Sequence, residues 1–246
     1  MILRRLAESI RRQDWSVVAI EILIVVVGIF LGLQVDDWNQ YRRDRADEAK
    51  FVAELHDELM LAAELSARLR NRRTEYHEAM ISANNVLFRH ENRDYLTDAE
   101  CDAVGASNYY NINVAGFSSL NELTATGRMA IIRDADLRRA LIELQQTREA
   151  LLYYIQLQSV QDAFAHLPNL FPKLVSTQAY KEPGDGEIGA NYECDLSGMQ
   201  SKQAFLNQWA SNIDGFDAYM RDAFRPWLRA FDRVHALVDG ALGVKH

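Results

Sequence analysis

Glu21–Gln40 reads EILIVVVGIFLGLQVDDWNQ, and the reading of this stretch decides the fold. It opens on a carboxylate and carries no further charge until Asp36. Extended back to Val17, the run to Val35 is apolar or glycine except at Glu21 and Gln34. As a helix rising about 1.5 Å per residue, 17–35 spans about 28 Å, close to the roughly 30 Å hydrocarbon thickness of a bilayer. Trp15 and Trp38 bracket the run, where interfacial indoles lie. No small-x-small cleavage pattern follows, because Gly32-Leu33-Gln34 passes straight into Val35-Asp36-Asp37. The run therefore reads as an uncleaved transmembrane helix rather than a signal peptide.

Glu21 needs an explanation in such a segment. It lies four residues inside the apolar boundary, roughly 6 Å deep, where reaching toward the headgroups relieves part of the cost of a charge. At about 100° per residue, Glu21, Val25, Gly28, Gly32, Val35 and Asn39 share one helix face. Gly28 and Gly32 form G-x-x-x-G on it, a spacing that lets two helix backbones approach closely. A polar group beside them gains a bonding partner across the contact. This face is expected to pack against another helix, with a proton or ion site as the secondary reading of Glu21.

The same residues carry a resemblance. The stretch is similar to the anchor of a family of uncharacterised bacterial single-pass membrane proteins, approximately G-E-I-x-L-V-V-x-G-I-L-I-A-L-Q-[IV]-N-N-W-N-E. Glu21, Gly28, Ile29, Leu33, Gln34, Val35, Trp38 and Asn39 match in register. The departures are Ile20 for Gly, Gly32 for Ala, Asp36 and Asp37 for two Asn, and Gln40 for Glu. FSSLNELTATGRMAIIRDADLRRAL, 117–141, is similar to that family's F/Y-x-x-L-x-x-S-G-x-L-x-L-I-x-N-x-x-L-R-x-x-L segment. The resemblance implies a membrane anchor and a helical body in a bacterium. It implies no activity.

The whole chain sets further bounds. Its 246 residues carry a net charge of −8. Residues 1–16 hold four arginines against Glu8 and Asp14, leaving the body from Asp36 onward strongly acidic. An acidic body argues against a nucleic-acid partner, whose phosphates need a basic face. Arginines flank the apolar run on both sides, so the positive-inside count is a tie. Moving the short arginine tail outward opposes the membrane potential, whereas long domains translocate largely regardless of charge. The expected topology is a cytoplasmic tail, 1–16, an inner-membrane helix, 17–35, and a periplasmic body, 36–246.

With 12 Gly and 4 Pro, the body reads as all-α, an antiparallel helical bundle. Helices are expected at about 36–90, 118–126, 134–167 and 200–240, the first continuing the anchor. On it, Leu55, Ala62, Leu69, Tyr76 and Ala83 alternate with Val52, Leu59, Ser66, Arg73, Met80 and Leu87 at heptad spacing. Ala53, Met60, Ala67, Ile81 and Phe88 are expected to widen that face, and Ser66 and Arg73 to form a break or a polar layer. Gly127 is expected to stop the second helix and Asp134 or Asp136 to cap the third. Pro226 should kink or split the last one. Residues 173–199 have loop composition.

Sequence motifs for chemistry are missing. A di-metal bundle centre needs paired Glu-x-x-His, and none of the 6 histidines has a Glu three residues before it. Asp232-x-x-His235 is the nearest approach. No nucleophile elbow, phosphate-binding loop or dinucleotide fingerprint occurs. No cofactor, no metal and no enzymatic activity are expected. Cys101 and Cys194 are either one bridge in an oxidising compartment or two thiols, and a simple up-and-down bundle puts them at opposite ends. The leading functional expectation is an interaction module that associates in the bilayer, with itself or with a partner membrane protein, through the Glu21/Gly28/Gly32 face. The alternatives are a ligand sensor signalling through a partner, since 1–16 is too short for an output domain, and an oligomeric ion or proton conductor using Glu21.

Overall fold

The computed structural model describes residues 15–110, 112, 114–160, 166–181 and 188–244. The expected tail, 1–16, falls almost wholly outside them, as do the side chain of Trp15 and residues 161–165 of the expected third helix. The chain is nearly all-α and divides into two compact units, Met1–Phe51 and Val52–His246.

Helix α1, Trp15–Leu87, contributes to both units. In the first, residues 19–43 are exposed throughout, and 19–35 of them are apolar or glycine except at Glu21 and Gln34. Among the described residues this is the one helix long and apolar enough to cross a membrane.

In the second unit the heptad seam of α1 is the buried face. Leu55, Leu59, Met80 and Ala83 are fully enclosed, and Ser66 and Arg73 are buried with them in an unbroken helix. They are a polar layer, not a break. The expected widening fails: Ala53, Met60, Ala67, Ile81 and Phe88 are exposed. The described bundle covers α1 along the a/d seam, so the flanking positions stay in solvent.

Helix α2, Asp98–Gly105, starts on a capping box in which Thr97 and Glu100 satisfy each other's backbone N–H groups. It lies between the helices expected at 36–90 and 118–126, where the sequence reading placed none. Helix α3, Ser118–Ala125, ends before Gly127, whose φ of 68° is the left-handed conformation that glycine adopts without strain. Gly127→Ala is therefore expected to cost about 1 kcal/mol, measurable as a shift of the urea midpoint. Helix α4, Ala135–Val160, is capped by Asp134, whose Oδ1 accepts from the N–H groups of Asp136 and Leu137. Leu137, Leu141, Leu144 and Leu151 form its buried stripe.

A short helix α5, Leu167–Leu170, precedes the main surprise. Residues expected as loop form an antiparallel hairpin, β1 Val175–Lys181 and β2 Ile188–Cys194, registered from Val175↔Cys194 to Lys181↔Ile188. Val175, Thr177, Tyr180, Ile188 and Tyr192 suit strands, but the Pro-Gly-Asp-Gly run between them dominated the composition. Helices α6, Leu196–Ser201, and α7, Gln203–Tyr219, follow.

A π-helical segment, Met220–Phe224, joins α7 to helix α8, Arg225–Leu242, with Pro226 in its first turn. Proline lacks the N–H that would continue the α ladder, and the wider π turn absorbs the mismatch. The chain is neither sharply split nor regular there. Cross-links fix the directions. Asn84 meets Trp209, His77 meets Asp217 and Arg70 meets Asp232, so α1 is antiparallel to α7–α8. Glu143 with Arg233, and Tyr154 with Gly215, orient α4 likewise. The core between them is aromatic: Trp209, Phe216, Tyr219 and Trp227 are fully buried.

Candidate functional site

The candidate face in the first unit is open. Glu21, Val25, Gly28, Gly32, Val35 and Asn39 are all exposed on α1. A Cβ built on Gly28 or Gly32 meets nothing within 4 Å, so the glycine strip is accessible to a second helix backbone. Trp38 is exposed just beyond the apolar run and lies under the Arg42 guanidinium at 5.0 Å, while Arg45 lies 5.4 Å over Tyr41. Stacking of this kind holds a cation against an amphipathic ring, an arrangement suited to a water–lipid boundary. Trp15 begins α1, and its side chain lies outside the described residues.

In the second unit Cys101 and Cys194 form a disulfide, with Cα atoms 5.9 Å apart and a sequence separation of 93. The expectation that they sit at opposite ends of the bundle is corrected. The hairpin, absent from that reasoning, carries Cys194 back onto α2. There the Tyr192 N–H donates to Asp102 Oδ1 at 3.1 Å. The Tyr192 ring lies directly on Gly105, where a Cβ would overlap it. Gly105 was not singled out in the sequence, because nothing local marks a glycine needed for close approach.

Beside the disulfide, Glu100 is buried in a network. Ser82 Oγ donates to its Oε1 at 2.5 Å, Arg93 Nη2 at 2.6 Å, and the Thr97 N–H to Oε2 at 2.7 Å. Burial pushes the carboxyl up, but the bonds from Arg93, Ser82 and Thr97 outweigh it and hold it at about 2, against an ordinary 4.5. A carboxyl depressed in the folded state contributes stability above its unfolded value and loses it as pH falls through the folded one. Between pH 4.5 and about 2 the loss from this group is on the order of 3 kcal/mol. Urea midpoints of wild type and Glu100→Gln should therefore converge across that window, wild type being the more stable near neutrality.

The polar layer of α1 continues along the antiparallel seam. Arg73 Nη1 donates to the Tyr109 carbonyl at 3.1 Å, and Asn212 Nδ2 donates to Ser107 Oγ at 2.8 Å in a fully buried position. His77 Nε2 lies 3.3 Å from Asp217 Oδ1, and its Nδ1 lies 3.5 Å from Arg225. Burial lowers the His77 pKa and Arg225 adds to this, against the pull of Asp217. Tyr219 is fully buried, and burial pushes its phenol up to about 12. These groups register the helices; none is arranged as a nucleophile with its base.

His56 and His235 lie 3.6 and 3.7 Å from Asp239 Oδ1, so Asp239, not Asp232, is the carboxylate beside His235. Asp232 instead receives Arg70 Nη2 at 2.7 Å on both oxygens. Among the described residues no group of three or more His, Cys, Asp or Glu side chains is placed to hold a metal ion. On α4, Gln145 accepts from Thr124 of α3 at 3.0 Å and ties the two helices together.

No protein-family model, curated protein or solved structure matches the chain.

Proposed function

We propose that this chain is a single-pass, membrane-anchored helical-bundle protein that self-associates through the Glu21/Gly28/Gly32 face of its anchor. The observation that carries the reading is an apolar helical segment, 19–35, exposed throughout, with an open strip at Gly28 and Gly32. In lipid, where no hydrophobic drive brings helices together, close backbone packing at small residues supplies the association. The resemblance to bacterial single-pass proteins agrees with this reading. The body, 36–246, is assigned to the oxidising side, and the Cys101–Cys194 bridge supports this, because disulfides persist in such a compartment. In a bacterial inner membrane that side is the periplasm.

Association of the full chain in a membrane two-hybrid assay tests the proposal. Gly28→Leu puts bulk on the contact line and is expected to reduce the signal at least several-fold. Glu21→Gln keeps a donor and an acceptor, and interhelical bonds in membranes average about 0.6 kcal/mol, so its effect should be mild. The reverse ranking would point to a proton path through Glu21. A signal that Gly28→Leu leaves unchanged would show that this face does not pack, and one seen only with a second membrane protein would replace self-association by a partner.

A further inference from the structure

Helix α1 ends in a Schellman turn. The Arg89 N–H donates to the Val86 carbonyl at 3.0 Å, and the His90 N–H to that of Asn85 at 2.8 Å. The residue one past the cap in this motif sits in the left-handed region and is usually glycine. Here it is Arg89, with φ of 59°, the one non-glycine residue with positive φ among those described. A side chain at such a position strains the backbone, and strain of this kind is retained where the side chain is used.

Arg89 lines a cleft of about 600 Å³ at this end of the second unit, between the 89–94 turn and α6. Gln200 Nε2 ties α6 to the helix end by donating to the Val86 carbonyl at 2.9 Å. The cleft holds two arginines and two carboxylates, Arg89 and Arg93 with Glu91 and Asp94. One pair is committed, since Arg93 bonds Glu91 at 2.9 Å and Glu100 at 2.6 Å. Arg89 and Asp94 make no ion pair with each other or with any other described residue. Among the described lining residues the cleft therefore offers one cation and one anion that no ion pair engages. Asn92 and Ser197 add neutral donors and acceptors on the same walls.

We infer that this cleft binds a small zwitterion of the α-amino-acid class. Its carboxylate meets the planar fork of Arg89, the side chain best shaped for that group. Its ammonium meets Asp94, and its side chain faces Asn92, Ser197 and the free oxygen of Gln200. The cleft volume lies within the range of small-molecule sites and accommodates the largest amino acids. The inference concerns the second unit alone and is independent of whether the anchor self-associates.

The test is thermal unfolding of the full chain in detergent micelles, followed by tryptophan fluorescence. Each standard amino acid is added in turn at millimolar concentration, beside acetate and methylammonium as the two half-ligands. At least one amino acid is expected to raise the midpoint by roughly 3 °C or more, and neither half-ligand should do so. Arg89→Gly relieves the left-handed strain, so it should raise the ligand-free midpoint by roughly 2–4 °C and abolish the amino-acid shift. Asp94→Asn, on an exposed turn, should leave the ligand-free midpoint in place and remove most of the shift. The inference is overturned if no amino acid shifts the wild-type midpoint, if acetate or methylammonium alone reproduces the shift, or if the shift survives both substitutions.

Discussion

Replacing Cys101 and Cys194 together by serine is expected to lower the unfolding free energy by about 3–5 kcal/mol. The bridge closes a long loop, its ends separated by 93 positions, so its removal releases much conformational freedom in the unfolded chain. The native side of the balance changes too. Tyr192 on Gly105 and the Tyr192 N–H on Asp102 are among the contacts that remain to hold the hairpin on α2. A loss near the upper end of the range is expected if these contacts fail with the bridge, and one near the lower end if they hold. Urea unfolding with and without reductant measures it. The double variant should be insensitive to reductant, while wild type should fall to its level. A stability unchanged by reduction would mean that the bridge constrains nothing the fold does not already hold.

Trp209→Ala is expected to be of similar size, about 4–5 kcal/mol. The side chain is fully buried, and truncating a buried aromatic costs about 3–5 kcal/mol in lost transfer energy and cavity. Its Nε1 also donates to Asn84 Oδ1 at 3.0 Å across the α1–α7 seam, and the loss of that donor adds to the cost. Trp209→Phe separates the two contributions. It keeps most of the apolar volume and removes the bond, so about 1 kcal/mol is expected. If Trp209→Phe were as damaging as Trp209→Ala, the bond and not the packing would dominate this part of the seam.

The elements that sequence reasoning reached were those with long periodicity. The heptad seam from Val52 to Leu87, the Gly127 stop and the Asp134 cap all rest on spacing or on a single residue's backbone preference. Such signals are local, so one chain suffices to read them. Ser66 and Arg73 were legible as anomalies in the seam, and they are buried there. The hairpin was hidden by its own turn. Pro183, Gly184 and Gly186 made 173–199 look like loop, although the two flanking runs carry β-branched and aromatic residues. Missing the hairpin misplaced Cys194, because topology and not helix length brings it to Cys101. The exposed state of Met60 and Ile81 was likewise out of reach, since amphipathic pattern states which residues can be buried and not how many neighbours arrive to bury them.

The candidate site divides in the same way. The Glu21/Gly28/Gly32 line is a helical projection and needs no tertiary information. Arg89 and Asp94 are five residues apart in an unremarkable turn, and their significance depends on a backbone angle and on α6 closing the cleft from more than a hundred residues away. Local pattern does not encode either.

In the proposed topology an uncleaved anchor holds the disulfide-bonded body across the membrane from the arginine tail. Leu61 is 83% exposed on α1, which makes it a suitable reporter, whereas Ser66 is buried. Leu61→Cys in the full chain should be labelled by a membrane-impermeant maleimide in intact spheroplasts, with the labelled protein retained in the membrane fraction at full length. Labelling that requires lysis, or a shortened labelled product released from the membrane, would contradict the account.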